Sequence, residues 1–377
     1  MKNSVLREPG MPLLVAMTAL GFAGYAALMP IAPLWATRGG ADEGGSGMVN
    51  AVLMLVTVLT QLAVPSALRR FGWVPVLTFG MIMLGLPTVG FFFSSELTWI
   101  LIFSGLRGLG FGVITVTGSA LTAELVDPMR RGEAIGMYGL AIAVPQVLLI
   151  SAGPWIVEQA GFNVIFAIGL LPILGVIPAV KLGRRVDHVP RPLSPPPYGK
   201  LVRPMMLLLA VTLAGGVLIT FMAQMVSDAG LVTVVMLIMM LTTALVRWRI
   251  GGIADRLGAR KFVLPLVLFS VLGMVLIAFA VQDEVSTNVP ALIAGSILVG
   301  AAYGGLQNLT LILSFQAVNR EHYGAASTVW NVGFDTGTGL GSLLIGWIAT
   351  GSSFSVGVLV SAGLSALTIP LAISRKK

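Results

Sequence analysis

Cysteine is absent from the 377 residues, and histidine occurs only at His188 and His322. A disulfide framework, a thiolate nucleophile and a multi-histidine metal centre are therefore excluded. Charge is scarce as well. Asp, Glu, Lys and Arg make up 10% of the chain, against about 25% in soluble domains. With 56% of residues hydrophobic, too little polar surface remains to clothe a globule in water, and most of the chain must face lipid. No Gly-x-x-x-x-Gly-Lys loop is present to cradle nucleotide phosphates, which argues against ATP as an energy source. No Ser-His-Asp, His-Glu or paired-carboxylate set falls within an apolar stretch. The chain reads as a non-enzyme with no cofactor and no metal. The first apolar stretch, Met11–Thr37, is too long for the core of a cleavable signal and lacks a small-residue cleavage site, so it reads as a retained span.

What is present is a series of long apolar runs. About 20 such residues cross the hydrocarbon core as a helix, and the sequence predicts twelve crossings. The first six are Met11–Thr37, Met48–Leu68, Trp73–Ser94, Leu97–Ala123, Ala134–Val157 and Gly161–Val180. The second six are Pro204–Val226, Leu231–Val246, Phe262–Val281, Val289–Val318, Ala325–Thr350 and Phe354–Ile373. The expected fold class is all-α and integral to the membrane.

The net charge of +8 could suggest nucleic acid, but its placement points to lipid instead. Apart from Arg38 and Arg107, the 23 lysines and arginines fall at the termini or in every second loop. The intervening loops carry Asp42, Glu43, Glu96, Glu158, Asp228, Asp283 and Glu284. Basic residues gather on the cytoplasmic side, so the alternation requires an even number of spans with both termini inside. An inner (plasma) membrane location follows, and nucleic acid is not an expected partner.

The proline-rich basic stretch GRRVDHVPRPLSPPPYGK, from Gly183 to Lys200, is the longest connection. It divides the chain into a predicted bundle over 1–182, a cytoplasmic linker over 183–202 and a second bundle over 203–377. A faint internal repeat supports two halves. ALRRFGWVP (67–75) aligns with IADRLGARK (253–261), and RGEAIGMYG (131–139) with YGAASTVWN (323–331), at similar offsets. Transporters are commonly built from such repeats, with the binding site near the midplane.

Two charges stand inside the predicted spans, Arg107 and Asp335. An ionisable residue at that depth costs a few kcal/mol if it faces lipid, so it faces a partner or a cavity. Asn331, Asp335, Thr338 and Ser342 recur on one helical face. Gly333, Gly337 and Gly341 recur on another, in the small-xxx-small spacing of tight helix packing. The tenth span repeats the polar stripe with Tyr303, Gln307, Thr310 and Ser314. Arg107 precedes a second close-packing pair, Gly108 and Gly112. Arg107, Asp335, Gln307, Asn331 and Tyr303 are the candidate substrate and proton site. An arginine keeps its charge at every relevant pH, so the proton carrier of the set is Asp335. For each of these residues, interhelical hydrogen bonding without a ligand is the structural alternative.

The predicted loop between spans 8 and 9 reads GGIADRLGARK, Gly251 to Lys261. Here the chain resembles the major facilitator superfamily, whose loop follows G-x-L-A-D-R-x-G-R-K. Gly251, Ala254, Asp255, Arg256, Gly258, Arg260 and Lys261 match that pattern. Arg107 with the glycines after it is similar to the family's helix 4 pattern. NVGFDTGTGLG, after Tyr323, resembles the drug and sugar efflux branch, the small bacterial drug:proton antiporters.

The resemblance implies two pseudo-symmetric six-helix bundles and alternating access. It also implies a monomer that moves a small molecule with protons as the coupling ion. Gly251, Asp255, Arg256, Gly258, Arg260 and Lys261 become the expected gating motif, with Asp255 directed to the start of span 5 near Arg131 and Gly132. Three readings stay open: proton-coupled efflux, a facilitator or symporter for a sugar or other metabolite, and a non-transporting membrane receptor or assembly factor.

Overall fold

The computed structural model describes residues 5–126, 130–186, 196–283, 286–319 and 322–373. Nearly all of them are helical. Among the described residues the long helical segments number twelve. They are α1 (Met11–Arg38, interrupted at Met29 and Pro30), α2 (Glu43–Phe71), α3 (Trp73–Phe92), α4 (Leu97–Glu124), α5 (Arg131–Ala160) and α6 (Phe162–Gly183). The series continues with α7 (Val202–Met225), α8 (Ala229–Leu257), α9 (Arg260–Ala280), α10 (Val289–Gln316), α11 (Tyr323–Gly351) and α12 (Phe354–Ala372).

Eleven of the twelve are long and apolar enough to cross a membrane. The other, α11, is 29 residues long, but its glycines, threonines, Asn331 and Asp335 depress its hydropathy. The polar stripe singled out in the sequence also makes it the least apolar of the set.

Helix ends follow local chemistry. Asp228, Asn288 and Ser353 cap α8, α10 and α12, each side chain accepting from a backbone N–H three residues on. The ends of α2 and α8 are set by glycine. Gly72 and Gly258 have φ of 79° and 90°, a left-handed region that L side chains rarely enter, and the chain turns there.

The sequence reading placed a loop from Gly251 to Lys261, after a span ending at Val246. In the structure α8 runs unbroken to Leu257, and only Gly258 and Ala259 separate it from α9. No proline interrupts the segment, and Gly251 and Gly252 are tolerated within a membrane helix. The predicted 8–9 loop is therefore mostly the last turns of a helix.

The chain divides into two compact units, Met1–Ile31 with Val52–Arg191, and Ala32–Ala51 with Pro192–Lys377. Within the first, α4 lies against α2 through Gly108 and Gly112. A Cβ at either would press on the α2 backbone, at the Leu53 and Thr57 carbonyl oxygens respectively. Thr57 Oγ1 donates to the Gly108 carbonyl at 3.2 Å. Phe22, Tyr25 and Phe111 form an aromatic cluster in which Tyr25 and Phe111 stack with centroids 3.8 Å apart. Glu8 pairs with Arg130 beside the start of α5.

Within the second unit, α11 lies along α7, and α10 lies between α8 and α9. Gly337 and Gly341 of α11 meet the backbone of Leu209 and Leu213, which lets the two helices approach closely. The segment Ala32–Ala51 joins this unit through a polar network. Asn50 Nδ2 donates to Thr220 Oγ1 at 3.0 Å, and Thr220 and Ser342 share a hydrogen bond of 2.8 Å. Gln224 Nε2 donates to Ser46 Oγ at 2.8 Å, and the Gly44 N–H to Thr350 Oγ1 at 2.8 Å.

Candidate functional site

Four of the five predicted site residues, Asp335, Gln307, Asn331 and Tyr303, fall in the second unit, and Arg107 falls in the first. Arg107 is 1% exposed. Its Nε donates to the Leu84 carbonyl of α3 at 3.3 Å, and its Nη2 to the Gly24 carbonyl of α1 at 3.0 Å. Its visible work is to tie α4 to α1 and α3 through backbone carbonyls.

The second unit gathers a denser polar set, and its geometry starts from glycine. A Cβ at Gly300 or Gly304 of α10 would press on the backbone carbonyl oxygen of Met239 or Thr243 of α8. The two helices therefore approach to backbone contact, and Thr243 Oγ1 donates to the Gly300 carbonyl at 3.1 Å. The following turn of each helix then meets its counterpart. Asn308 Nδ2 donates to the Arg247 carbonyl at 2.7 Å, and Arg247 Nη1 donates to Gln307 Oε1 at 3.1 Å.

Arg247 lies about 15 Å along the axis from the end of α8 at Leu257, given ~1.5 Å of rise per residue. Sequence reasoning missed it. It was counted among the basic residues around a cytoplasmic loop because the apolar run appeared to stop at Val246. The available signal was length: Leu231–Val246 is too short to cross a hydrocarbon core, so the helix had to continue through Arg247.

Gln307 is 3% exposed, and among the described residues its Nε2 has no acceptor. Its amide orientation is fixed by chemistry: a guanidinium only donates, so the atom facing Arg247 must be the oxygen. Tyr303, one turn earlier on α10, is buried and lies within electrostatic reach of both Arg247 and Asp335. Its ring occupies the space that Gly215 of α7 leaves open. Asp335 on α11 is 3% exposed. On the same helix Phe334 and Trp330 pack with ring centroids 5.6 Å apart, and Phe334 lies 6.1 Å from Tyr303. Trp330 Nε1 donates to Thr310 Oγ1 at 3.1 Å, so the indole is fixed in place. Asn331 turns back on its own helix, donating to the Ser327 carbonyl at 3.0 Å. Thr338 and Ser342 face α7. The stripe on α11 therefore splits into Asp335, within electrostatic reach of Tyr303 on α10, and two hydroxyl residues committed to helix packing.

Of the expected gating motif, Gly251 faces Asn308, Gly258 makes the turn, and Arg256, Arg260 and Lys261 surround it, with Arg256 and Arg260 exposed. The side chains of Asp255, Arg131 and Gly132 lie outside the described residues. Among the described residues no group of His, Asp or Glu could hold a metal ion.

A buried carboxyl, a guanidinium, a phenol and an amide with a spare donor, set within a multi-pass helical protein, describe a membrane carrier rather than a hydrolytic centre. The sequence profile of the Major Facilitator Superfamily matches residues 14–246 and 204–376. The chain belongs to that family, whose members are transporters and not enzymes.

Among solved structures the fold is similar to a bacterial homolog of the human lysosomal transporter Spinster in an inward-facing, unoccupied conformation. The TM-score is 0.75 at 13% identity, over 98% of this chain and 97% of that one. It is also similar to the nucleoside transporter NupG, with a TM-score of 0.69 at 13% identity, over 96% and 98% of the two chains. Among curated proteins it is 31% identical over 144 residues to a probable 4-methylmuconolactone transporter of Cupriavidus pinatubonensis (strain JMP 134 / LMG 1197). That stretch covers 37% of this chain and 33% of the relative, about a third of its length.

Proposed function

We propose that this protein is a secondary transporter that carries a small organic molecule across the inner membrane by alternating access. Asp335 is its proton-exchanging group. The protein acts as a monomer with both termini in the cytoplasm. The observation that carries the reading is Asp335 itself, a buried carboxyl on the least apolar membrane helix, in electrostatic reach of Tyr303. An ionisable residue kept at that depth is a functional group by default, and of the buried set only a carboxyl can pick up and release a proton in the physiological range. Through its printed name, the curated relative makes a lactone-sized organic molecule the first substrate to try.

The efflux branch that the sequence resembles implies proton antiport, in which an entering proton displaces substrate outward. Arg247 favours a second reading, coupled movement of proton and substrate together, because it sets a fixed positive charge within electrostatic reach of Tyr303, as Asp335 is. In both readings Asp335 carries the coupling. Asp335→Asn should therefore insert and melt like the parent, yet lose pH-driven flux of 4-methylmuconolactone in proteoliposomes by about a hundredfold, the scale of a lost catalytic proton transfer. Parental flux in the Asn variant would falsify the assignment.

A further inference from the structure

We infer that the Leu257 end of α8 carries a binding site for an anionic phospholipid, whose phosphate is held by Arg249 beside Trp248. This goes beyond the transport reading and stands without it, because it requires only that α8 span a bilayer.

Depth is the first argument. α8 starts behind its Asp228 cap. At ~1.5 Å per residue, a hydrocarbon core of about 30 Å is crossed in about 20 residues, which brings the helix to Trp248. Trp248 and Arg249 therefore stand where headgroups begin, the level at which tryptophan gathers. The last turns of α8, to Leu257, run on among headgroups.

The second argument is the face they occupy. Arg247 lies on the side of α8 that meets α10, where its carbonyl accepts from Asn308. Arg249, two residues on, is rotated about 200° from it, and it is exposed. Leu241, Leu245, Trp248, Ile253 and Leu257 are exposed as well, and Trp248 is 70% exposed. Apolar side chains in that position meet acyl chains, whereas a soluble polyanion has no use for them.

Charge is the third argument. Arg247, Arg249, Arg256, Arg260 and Lys261 follow one another here, and Asp255 is the only acid from Ala229 to Val281. Among the described residues Arg249, Arg256, Arg260 and Lys261 have no acidic partner. The Arg249 guanidinium lies over the Trp248 ring, 4.5 Å from its centroid. That contact steadies the cation by its face and leaves its N–H edge for a phosphate, which guanidinium binds through two parallel bonds. A choline headgroup would add a cation to an existing excess, so the fitting lipid carries net negative charge.

The end of α2 supplies an internal control. Arg70 lies over Phe71 at 5.2 Å, and Arg69 donates to Ser66 Oγ at 2.9 Å. The aromatic–arginine pair is repeated there with fewer cations around it.

The test uses the purified full chain in micelles with dioleoylphosphatidylglycerol, dioleoylphosphatidylcholine or inorganic phosphate. Bound lipid is counted by native mass spectrometry, thermal shift is measured, and brominated acyl chains report quenching of tryptophan. Phosphatidylglycerol should bind about tenfold tighter than phosphatidylcholine, and Arg249→Gln should weaken it about fivefold, the scale of one basic residue at an anionic surface. Arg249→Lys should recover part of that loss, and Arg70→Gln should leave the affinity nearly unchanged. Brominated phosphatidylglycerol should quench a component of the emission that Trp248→Phe lacks. Equal binding of the two lipids overturns the site, as does phosphatidylglycerol affinity unchanged in Arg249→Gln. An equal loss in Arg70→Gln would reduce the effect to a general attraction of basic helix ends for the surface. Inorganic phosphate giving the same thermal shift as phosphatidylglycerol would make the ligand a soluble anion and reject the lipid.

Discussion

Arg107 and Arg247 invite comparison because both are arginines on glycine-packed membrane helices, one in each compact unit. Arg107 spends two of its nitrogens on the backbone carbonyls of Gly24 and Leu84, which no ligand can displace without unpicking α1 and α3. Arg247 donates to the side-chain amide of Gln307, whose Nε2 has no acceptor among the described residues. An arginine held by backbone is a strap, and one that faces a side-chain amide can change partner when that amide turns. Burial differs too: Arg107 is 1% exposed, whereas Arg247 is half-buried. The sharper difference is the identity of the acceptors.

Three substitutions would break or sharpen that contrast. The largest effect belongs to Gly304→Val, which drives a side chain into the Thr243 carbonyl that fixes the α8–α10 register. Overpacking costs about 1–3 kcal/mol even where neighbours can yield, and backbone cannot. A sharp fall in melting temperature and loss of 4-methylmuconolactone flux in proteoliposomes together are expected. A fully stable variant with parental flux would show that the register is not what sets the Arg247–Gln307 pair.

Next comes Arg107→Gln. It should lower stability by about 2–3 kcal/mol, the scale of hydrogen bonds from a charged donor, while flux per folded molecule stays within about twofold. Loss of flux with unchanged stability would reverse the roles of the two arginines.

The smallest effect on stability is expected from Gln307→Glu, which replaces the orphan donor by a second acceptor facing Arg247. The melting temperature should rise by the equivalent of about 1 kcal/mol, because the amide acceptor becomes a charged one and the unmatched N–H is removed. A lower melting temperature would show that this N–H is satisfied in the parent.

Much of the fold was legible in the sequence, for reasons specific to lipid. Every backbone polar group in a bilayer must be satisfied within its own segment, so a long apolar run has few options other than a helix. The apolar runs numbered twelve, and the alternation of basic and acidic loops agreed by requiring an even count. The glycines at 333, 337 and 341 announced a tight contact, and the structure places Gly337 and Gly341 against α7.

The site was legible in part. Asp335, Gln307 and Tyr303 stood out as polar groups at depth and now lie in one neighbourhood. Asn331 shared their spacing, but its amide bonds its own helix. Arg247 was hidden by the same rule that gave the topology, because basic residues near a span end are read as loop.

The sequence alone determined that the chain is a series of long apolar helices and which family it resembles. Both depend on composition and local spacing, and these survive without knowledge of any neighbour. Tertiary structure alone decided which polar groups meet. That choice depends on helix register, set at Gly300 and Gly304 by the absence of a Cβ. A one-residue slip would turn Arg247 about 100° around α8 and dissolve the pair with Gln307.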